Sequence, residues 1–193
     1  MIKKSKKNIG FTLIEVMLTV SLSIVIFFIV YDLYLLSQKS FNTSNTKMEL
    51  LQNGRIIIDR ITREIRQSQD IVTPLPESKG VEGFDPPTEF QFQDGHGVPD
   101  IQYLRYYLSG TDLYRQRITY YFSEEPGTFV YWDAVDQFLE PPESIVTDNK
   151  IIAEYISNIA FYGEDFTNIE VWLTKNNINE HIYSSVWGRN SRE

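Results

Sequence analysis

Cysteine is absent from the 193 residues, and histidine occurs only twice. The first absence excludes a Cys nucleophile, a thiolate metal site and any disulfide, so stability must come from the core alone. The two histidines, His96 and His181, are 85 positions apart. They show neither HExxH nor HxxxH spacing, and each reads as a loop or strand surface residue. A Walker loop, GxGxxG and GxSxG are all missing, and no nucleophile–base pair can be named. The sequence therefore points away from an enzyme, with no catalytic residue, no cofactor and no metal expected. Basic charge is also short, at 18 Lys+Arg against 26 Asp+Glu for a formal net charge of −8. Nucleic-acid binding needs a basic face, and this balance argues against it. There is no internal repeat and no long low-complexity tract.

What is present is concentrated at the N-terminus. A short head carries Lys3, Lys4, Lys6 and Lys7, has no acid, and ends in Gly10. An apolar run of 21 residues follows, Phe11 to Tyr31, whose only charge is Glu15. At about 1.5 Å per residue a helix of that length is roughly 32 Å long, enough to cross a bilayer's hydrocarbon core. A carboxylate at the centre of such a helix costs about 2.5–3.5 kcal/mol on insertion scales, and less toward an end, where Glu15 sits. A plain signal anchor with one stray acid is the simplest reading. A secretory signal peptide fits badly, because its apolar region would be about 7–15 residues long with a small-residue site after it. Here the run is longer and the small residue precedes it. Cutting between Gly10 and Phe11 would instead leave the apolar helix on the mature protein. Loss of the head would leave 14 Lys+Arg against 26 Asp+Glu, a net charge of −12. Lysines before the span place the N-terminus in the cytoplasm and everything after residue 36 outside it.

The stretch Gly10-Phe11-Thr12-Leu13-Ile14-Glu15-Val16 resembles the processing and methylation motif of type IV prepilins and type II secretion pseudopilins. The resemblance implies a leader peptidase that cuts after Gly10 and N-methylates Phe11. It also assigns Glu15 to filament assembly, where its carboxylate meets the N-terminal amine of a neighbouring subunit. A buried acid is best tolerated when a partner charge is supplied, so the physics agrees.

Beyond the span, Tyr31 to Leu36 has the aromatic and polar mix of a membrane-interface exit. Ser40 to Thr46 is rich in poor helix formers, consistent with a joint in one long helix or with a stop and a new N-cap at Asn45 or Thr46. From Lys47 the helical pattern returns, with Leu51, Ile58, Ile61 and Ile65 on one face and Leu50 and Ile57 widening it. The opposite face carries Arg55/Asp59, Asp59/Arg63, Arg60/Glu64 and Arg66/Asp70 four apart, as a solvated face would. Gly54 weakens the helix locally by about 1 kcal/mol. Thr73-Pro74 is expected to end it, and a surface loop containing Gly80, Gly83 and Pro86-Pro87 follows.

Strands are expected at Glu89–Gln93, Ile101–Leu108 and Leu113–Phe122, the last with Ile118, Tyr120 and Phe122 opposite Arg115, Arg117 and Thr119. Ser123 to Ser144 is ambiguous, with Phe129–Trp132 as a short strand and Pro141-Pro142 as a break. Ile151 to Ile156 reads equally as a helical turn or a strand. Ile159–Tyr162, Ile169–Leu173 and His181–Trp187 complete the strands, joined by turns at Gly163–Thr167 and Asn176–Asn179. The expected architecture is α+β, pilin-like, with a long N-terminal helix, its first half transmembrane, packed on an antiparallel sheet domain. Its parts are a leader at 1–10, the transmembrane half at 11–36, an amphipathic continuation at 37–70 and an extracytoplasmic β-rich domain at 71–193.

Two further candidates deserve their simpler alternatives. Asp94 to Asp100 gathers two carboxylates and several carbonyls as calcium would need, but it lacks the EF-hand pattern and reads more simply as a solvated hairpin loop. Tyr103, Tyr106, Tyr107, Tyr120 and Tyr121 suggest a sugar- or protein-binding surface, or half-buried tyrosines of a sheet, which strands favour anyway. The helix from Lys47, the hairpin Tyr106-Tyr107-Leu108/Leu113-Tyr114-Arg115 and the ending Arg189-Asn190 are similar to J-type minor pseudopilins. A PilW-type minor pilin, which primes type IV pilus assembly, shares the helix and the ending. The resemblance implies a minor pseudopilin near the filament tip in protein export, held in the inner membrane. Its implied partners are I-type, K-type and major pseudopilins, the leader peptidase/methyltransferase, the inner-membrane assembly platform and the lipid bilayer, with no nucleic acid. A membrane-anchored binding module is the alternative of another class.

Overall fold

Helix α1, Leu13–Gln67, runs unbroken for 55 residues in the computed structural model, which describes residues 10–80, 85–164 and 166–188. The lysine head, Gly83, Asp165 and Arg189-Asn190 lie outside the described residues. Ser40 to Thr46 is helical throughout, so no new N-cap forms there; Thr43 returns its hydroxyl to the Lys39 carbonyl at 3.0 Å. The chain nonetheless divides into two compact units between Asn45 and Thr46.

In the first unit the helix is exposed throughout, and its apolar stretch, with a mean hydropathy of 2.7, packs against nothing else among the described residues. Its hydroxyls are satisfied locally. Thr19, Ser21 and Ser23 donate to the carbonyls of Val16, Met17 and Thr19 at 2.9, 2.8 and 2.7 Å. A segment that crosses lipid must satisfy its polar groups internally in this way.

The second unit is an α+β domain. Strands β1 (Glu89–Gln93), β2 (Tyr103–Ser109), β3 (Asp112–Tyr121) and β4 (Phe129–Val130) follow one another, and β5 (Glu143–Ala153) lies on the other side of β3. A second antiparallel sheet contains β6 (Ile156–Tyr162), β7 (Thr167–Lys175) and β8 (Ile178–Val186). Phe161 of β6 donates its N–H to the Pro87 carbonyl at 3.2 Å and stacks on Phe90 of β1 at 4.8 Å, so the two sheets meet edge to edge.

Leu50, Gly54, Ile57, Ile61 and Ile65 of α1 form the buried stripe over Phe90, Tyr106, Leu113, Phe161, Val171 and Leu173. The stripe centres one residue earlier than expected: Leu50 is fully buried and Leu51 only half-buried. Gly54 lets the Ile182 and Leu173 side chains lie directly against the helix. A Cβ there would collide with the Cδ1 of Ile182 and stand 3.2 Å from that of Leu173.

The helix ends at Gln67, well before Thr73-Pro74. Ser68 closes it, its N–H and hydroxyl both reaching the Ile65 carbonyl at 3.0 and 2.7 Å. The next residues are captured by the edge of β1: Gln93 donates to the Asp70 carbonyl at 2.8 Å, and Val72 to that of Gln91 at 2.9 Å. Asp70 is therefore off the helix and cannot pair with Arg66 in the expected way.

Strand β5 was not expected as one element: it overlaps the ambiguous Ser123 to Ser144 only at its first two residues, and its end is the strand alternative for Ile151 to Ile156. Two bulges interrupt its pairing with β3, and most of its residues are exposed. On β3 the faces alternate as expected, but the arginine face is the one turned to the helix. Ile118 and Tyr120 join Ile101, Tyr103, Val72 and Phe129 in a smaller core on the far side.

Candidate functional site

The N-terminal junction is built by the start of α1. Thr12 and Glu15 form a reciprocal cap: Thr12 N–H donates to Glu15 Oε2 at 3.2 Å, and Glu15 N–H donates to Thr12 Oγ1 at 3.3 Å. The Thr12 hydroxyl also donates to Glu15 Oε2 at 3.2 Å. This is the capping box, in which a Glu three residues after a Thr satisfies two orphan helix donors. The T-x-x-E signal was readable at Thr12-Leu13-Ile14-Glu15 and gives Glu15 a local role beside any assembly role. Phe11 precedes the helix and is 84% exposed. Nothing lies within 4 Å of a Cβ built on Gly10. The fold makes no demand for glycine there, so any such demand must come from another molecule.

The other sequence candidates are not brought together. Asp94 turns to His96, accepting its N–H at 3.1 Å and facing its Nδ1 at 2.9 Å. Gly95 lies against the end of α1, where a Cβ would stand 2.9 Å from the Gln67 carbonyl oxygen. Among the described residues no three His, Asp or Glu side chains converge as metal ligands would. Tyr103 and Tyr106 are fully buried and cannot serve as a ligand surface. Tyr107 stacks on Tyr114 at 5.2 Å, Tyr120 meets Tyr103 edge-on at 5.1 Å, and Tyr121 donates to Glu143 at 3.1 Å. These are sheet tyrosines.

Burial pushes the Tyr103 hydroxyl up to about 12; Asp133 and Asp70 add to this, against the Trp132 N–H that donates to its oxygen. The folded value lies above the ordinary value of about 10, so the stability gained from keeping this phenol neutral is complete below pH 10. It is lost as pH rises through the folded value. The urea midpoint should therefore fall between about pH 10 and 12, and Tyr103→Phe should shrink that fall. Tyr162, raised to about 12 mainly by its hydrogen bond to Glu170, accounts for another part. A fall of unchanged size in Tyr103→Phe would contradict the assignment.

Two polar networks escaped the sequence reading. In the first, Glu64 of α1 faces inward, not toward solvent. Arg115 of β3 donates through Nε to both of its oxygens at 3.1 Å, and the Tyr106 hydroxyl donates to Oε2. Arg60 stands 3.6 Å from Oε1. Burial, then the charge and hydrogen bond of Glu64, hold the Tyr106 hydroxyl well above its usual range, so it stays a donor. The second lies on the outer face of the β6–β8 sheet. Glu170 accepts from Lys79 at 2.8 Å and Tyr162 at 2.6 Å, and meets His181 Nε2 at 3.2 Å. Burial would raise the Glu170 carboxyl, but Lys79, Tyr162 and His181 together hold it below the usual range. The His181 ring lies flat on Trp172 at 4.8 Å, and Lys79 stands over the same indole. Period-two alternation puts Glu170 with Trp172, and His181 with Tyr183; only the register shows that the pairs adjoin.

The chain matches no family model, no curated protein and no solved structure. The geometry therefore stands alone: an apolar helix near the N-terminus, long enough to cross a membrane, with a capped junction at its start and an α+β domain after it.

Proposed function

We propose that the chain is a minor subunit of a type II secretion pseudopilus, cut after Gly10, methylated on Phe11 and held in the inner membrane by α1. It acts near the filament tip, with I-type, K-type and major pseudopilins as partners and Glu15 facing a neighbour's N-terminal amine. One observation carries this reading. The junction Gly10-Phe11-Thr12-Leu13-Ile14-Glu15 opens an apolar helix that is unburied within the chain and continues into a helix buried on a sheet domain. The open space around Gly10 supports it, since the glycine then answers to a peptidase and not to the fold.

Mass spectrometry of the chain from its own membrane should give an N-terminal methylated Phe11. A chain that still begins at Met1 in cells with an active leader peptidase would overturn the proposal. The PilW-type alternative shares this junction. Neighbouring genes separate the two: I- and K-like prepilins beside a secretion ATPase for the pseudopilus, a retraction ATPase for the pilus.

A further inference from the structure

Apolar exposure in the second unit is uneven. Among its described residues, eight of the fifteen large apolar side chains left exposed fall between Tyr131 and Ile151. They include Tyr131, Val135, Phe138, Leu139, Ile145 and Val146, with Phe138 67% and Leu139 80% exposed. Val146 pairs with Ile118 on the sheet face where Tyr103 holds Trp132, so it shares that side with the 131–139 segment, whereas Ile145, paired with Thr119, faces the other way. Isolated exposed hydrophobics are ordinary, but a concentration on one side marks an interaction surface.

The segment is held in place. At its base, the Trp132 N–H donates to the buried Tyr103 hydroxyl at 3.1 Å. At its tip, Asp136 Oδ1 accepts from the N–H groups of Phe138 and Glu140 at 2.7 and 2.8 Å, and the Asp136 N–H returns to the Glu140 carbonyl at 3.1 Å. This closed turn sets Leu139 at a φ of 65°, a left-handed conformation that glycine or asparagine adopts at less cost. A leucine kept there and turned to solvent is poor for the fold and suited to contact.

The surrounding charge selects the occupant. Residues 131–151 contain Asp133, Asp136, Glu140, Glu143 and Asp148 against one cation, Lys150, which pairs with Asp148 at 2.9 Å. Such a rim repels the anionic lipids of a bilayer surface. Two copies related by a two-fold axis would set the same acids against each other. The bulges opposite the Leu113/Tyr114 and Arg117/Ile118 steps of β3 blunt the outer edge of β5 against addition of another strand.

We propose that the 131–151 surface docks a different protein, through a concave apolar patch rimmed by lysine or arginine, with Phe138 and Leu139 as anchors. The inference rests on the second unit alone and stands whether or not the chain is a filament subunit.

The test is site-specific photocrosslinking of the full chain in its own cells, with p-benzoylphenylalanine at Phe138, Val146 or, as a control on the other sheet, Tyr183. The first two positions should trap one and the same polypeptide, through peptides that carry Lys or Arg beside apolar residues; Tyr183 should not trap it. Leu139→Asp should lower the yield from Phe138 about fivefold or more, the loss typical of an anchor. Leu139→Gly should melt no lower than the parent, because glycine suits the turn, yet should lose yield as well. Adducts only to lipid, only to a second copy, or to different chains from the two positions would each overturn the proposal. So would the absence of any adduct, or an undiminished yield in Leu139→Gly.

Discussion

Under the proposed filament role, Glu15→Gln should leave α1 helical and inserted in the membrane while removing the chain from filaments. Glutamine at the third helical position still accepts from the Thr12 N–H and hydroxyl, so the capping box survives. What it removes is the charge. A carboxylate facing an ammonium group at about 4 Å gains roughly 4 kcal/mol at an effective dielectric of about 20. Breaking such a buried pair by removing one partner costs about 3–5 kcal/mol. Incorporation should therefore fall by about a hundredfold or more, read as the share of the chain recovered in sheared filaments against the share left in membranes. Glu15→Ala should do the same and also lose the cap, worth about 1 kcal/mol of helix stability. Thr12→Ala is the counter-experiment: it removes the capping hydroxyl but keeps the charge, and it should assemble. The opposite pattern, with Glu15→Gln assembling normally and Thr12→Ala failing, would reduce Glu15 to a helix cap.

The parts of the fold that could be read in advance are those where one strong periodicity acts without competition. The 21-residue apolar run, the alternation at Phe90/Phe92 and the turn at Asn176-Asn177 each express one local preference, and each element lies where that preference puts it. The α+β class followed from their order. β5 was hidden because its central Thr147-Asp148-Asn149-Lys150 breaks the alternation. Its place is set by pairing with β3 across two bulges, which is long-range information. The early end of α1 has the same origin. Nothing in Ser68 to Asp70 forbids helix, but the free edge of β1 offers these backbone groups a different set of partners.

The site residues divide along the same line. The Thr12–Glu15 cap carries a four-residue signal, although the sequence reading gave Glu15 an assembly role alone. The pairs Glu64/Arg115 and Glu170/His181 join residues 51 and 11 positions apart, and nothing local announces them. Glu64 misleads for a definite reason: Arg60 four residues earlier makes it look like half of a solvated helix pair. In the fold that contact is the longer one, 3.6 Å against 3.1 Å to Arg115.

Arg115→Met should destabilise the second unit by about 3 kcal/mol, measured as the urea unfolding midpoint of the detergent-solubilised chain. The substitution strands Glu64, whose side chain is only 14% exposed, with the Tyr106 hydroxyl and a distant Arg60. Removing one member of a buried pair costs about 3–5 kcal/mol, and the two remaining contacts keep this case at the lower end. Glu64→Leu should cost at least as much, because it leaves the nearly buried Arg115 without its carboxylate. Restoring balance should restore stability. The double change Glu64→Leu, Arg115→Met removes both charges but orphans the Tyr106 hydroxyl, at about 1–3 kcal/mol. Adding Tyr106→Phe should bring the chain to within about 1 kcal/mol of the parent, since a buried ion pair exchanged for packed apolar groups is often neutral. If the triple variant stays as unstable as Arg115→Met, the network contributes net stability, and that assignment is wrong. If it recovers, the network's use lies in register. The stripe Leu50, Ile57, Ile61 and Ile65 would meet the sheets almost as well after sliding about 5.4 Å, one helical turn. Gly54 under Ile182 and Glu64 on Arg115 oppose that slide from the buried face, and the ion pairs Lys47–Glu180 and Glu49–Lys175 oppose it from the rim. The triple variant loses the one charged register contact of the buried face, and crosslinks from α1 to β3 should then spread over positions one turn apart.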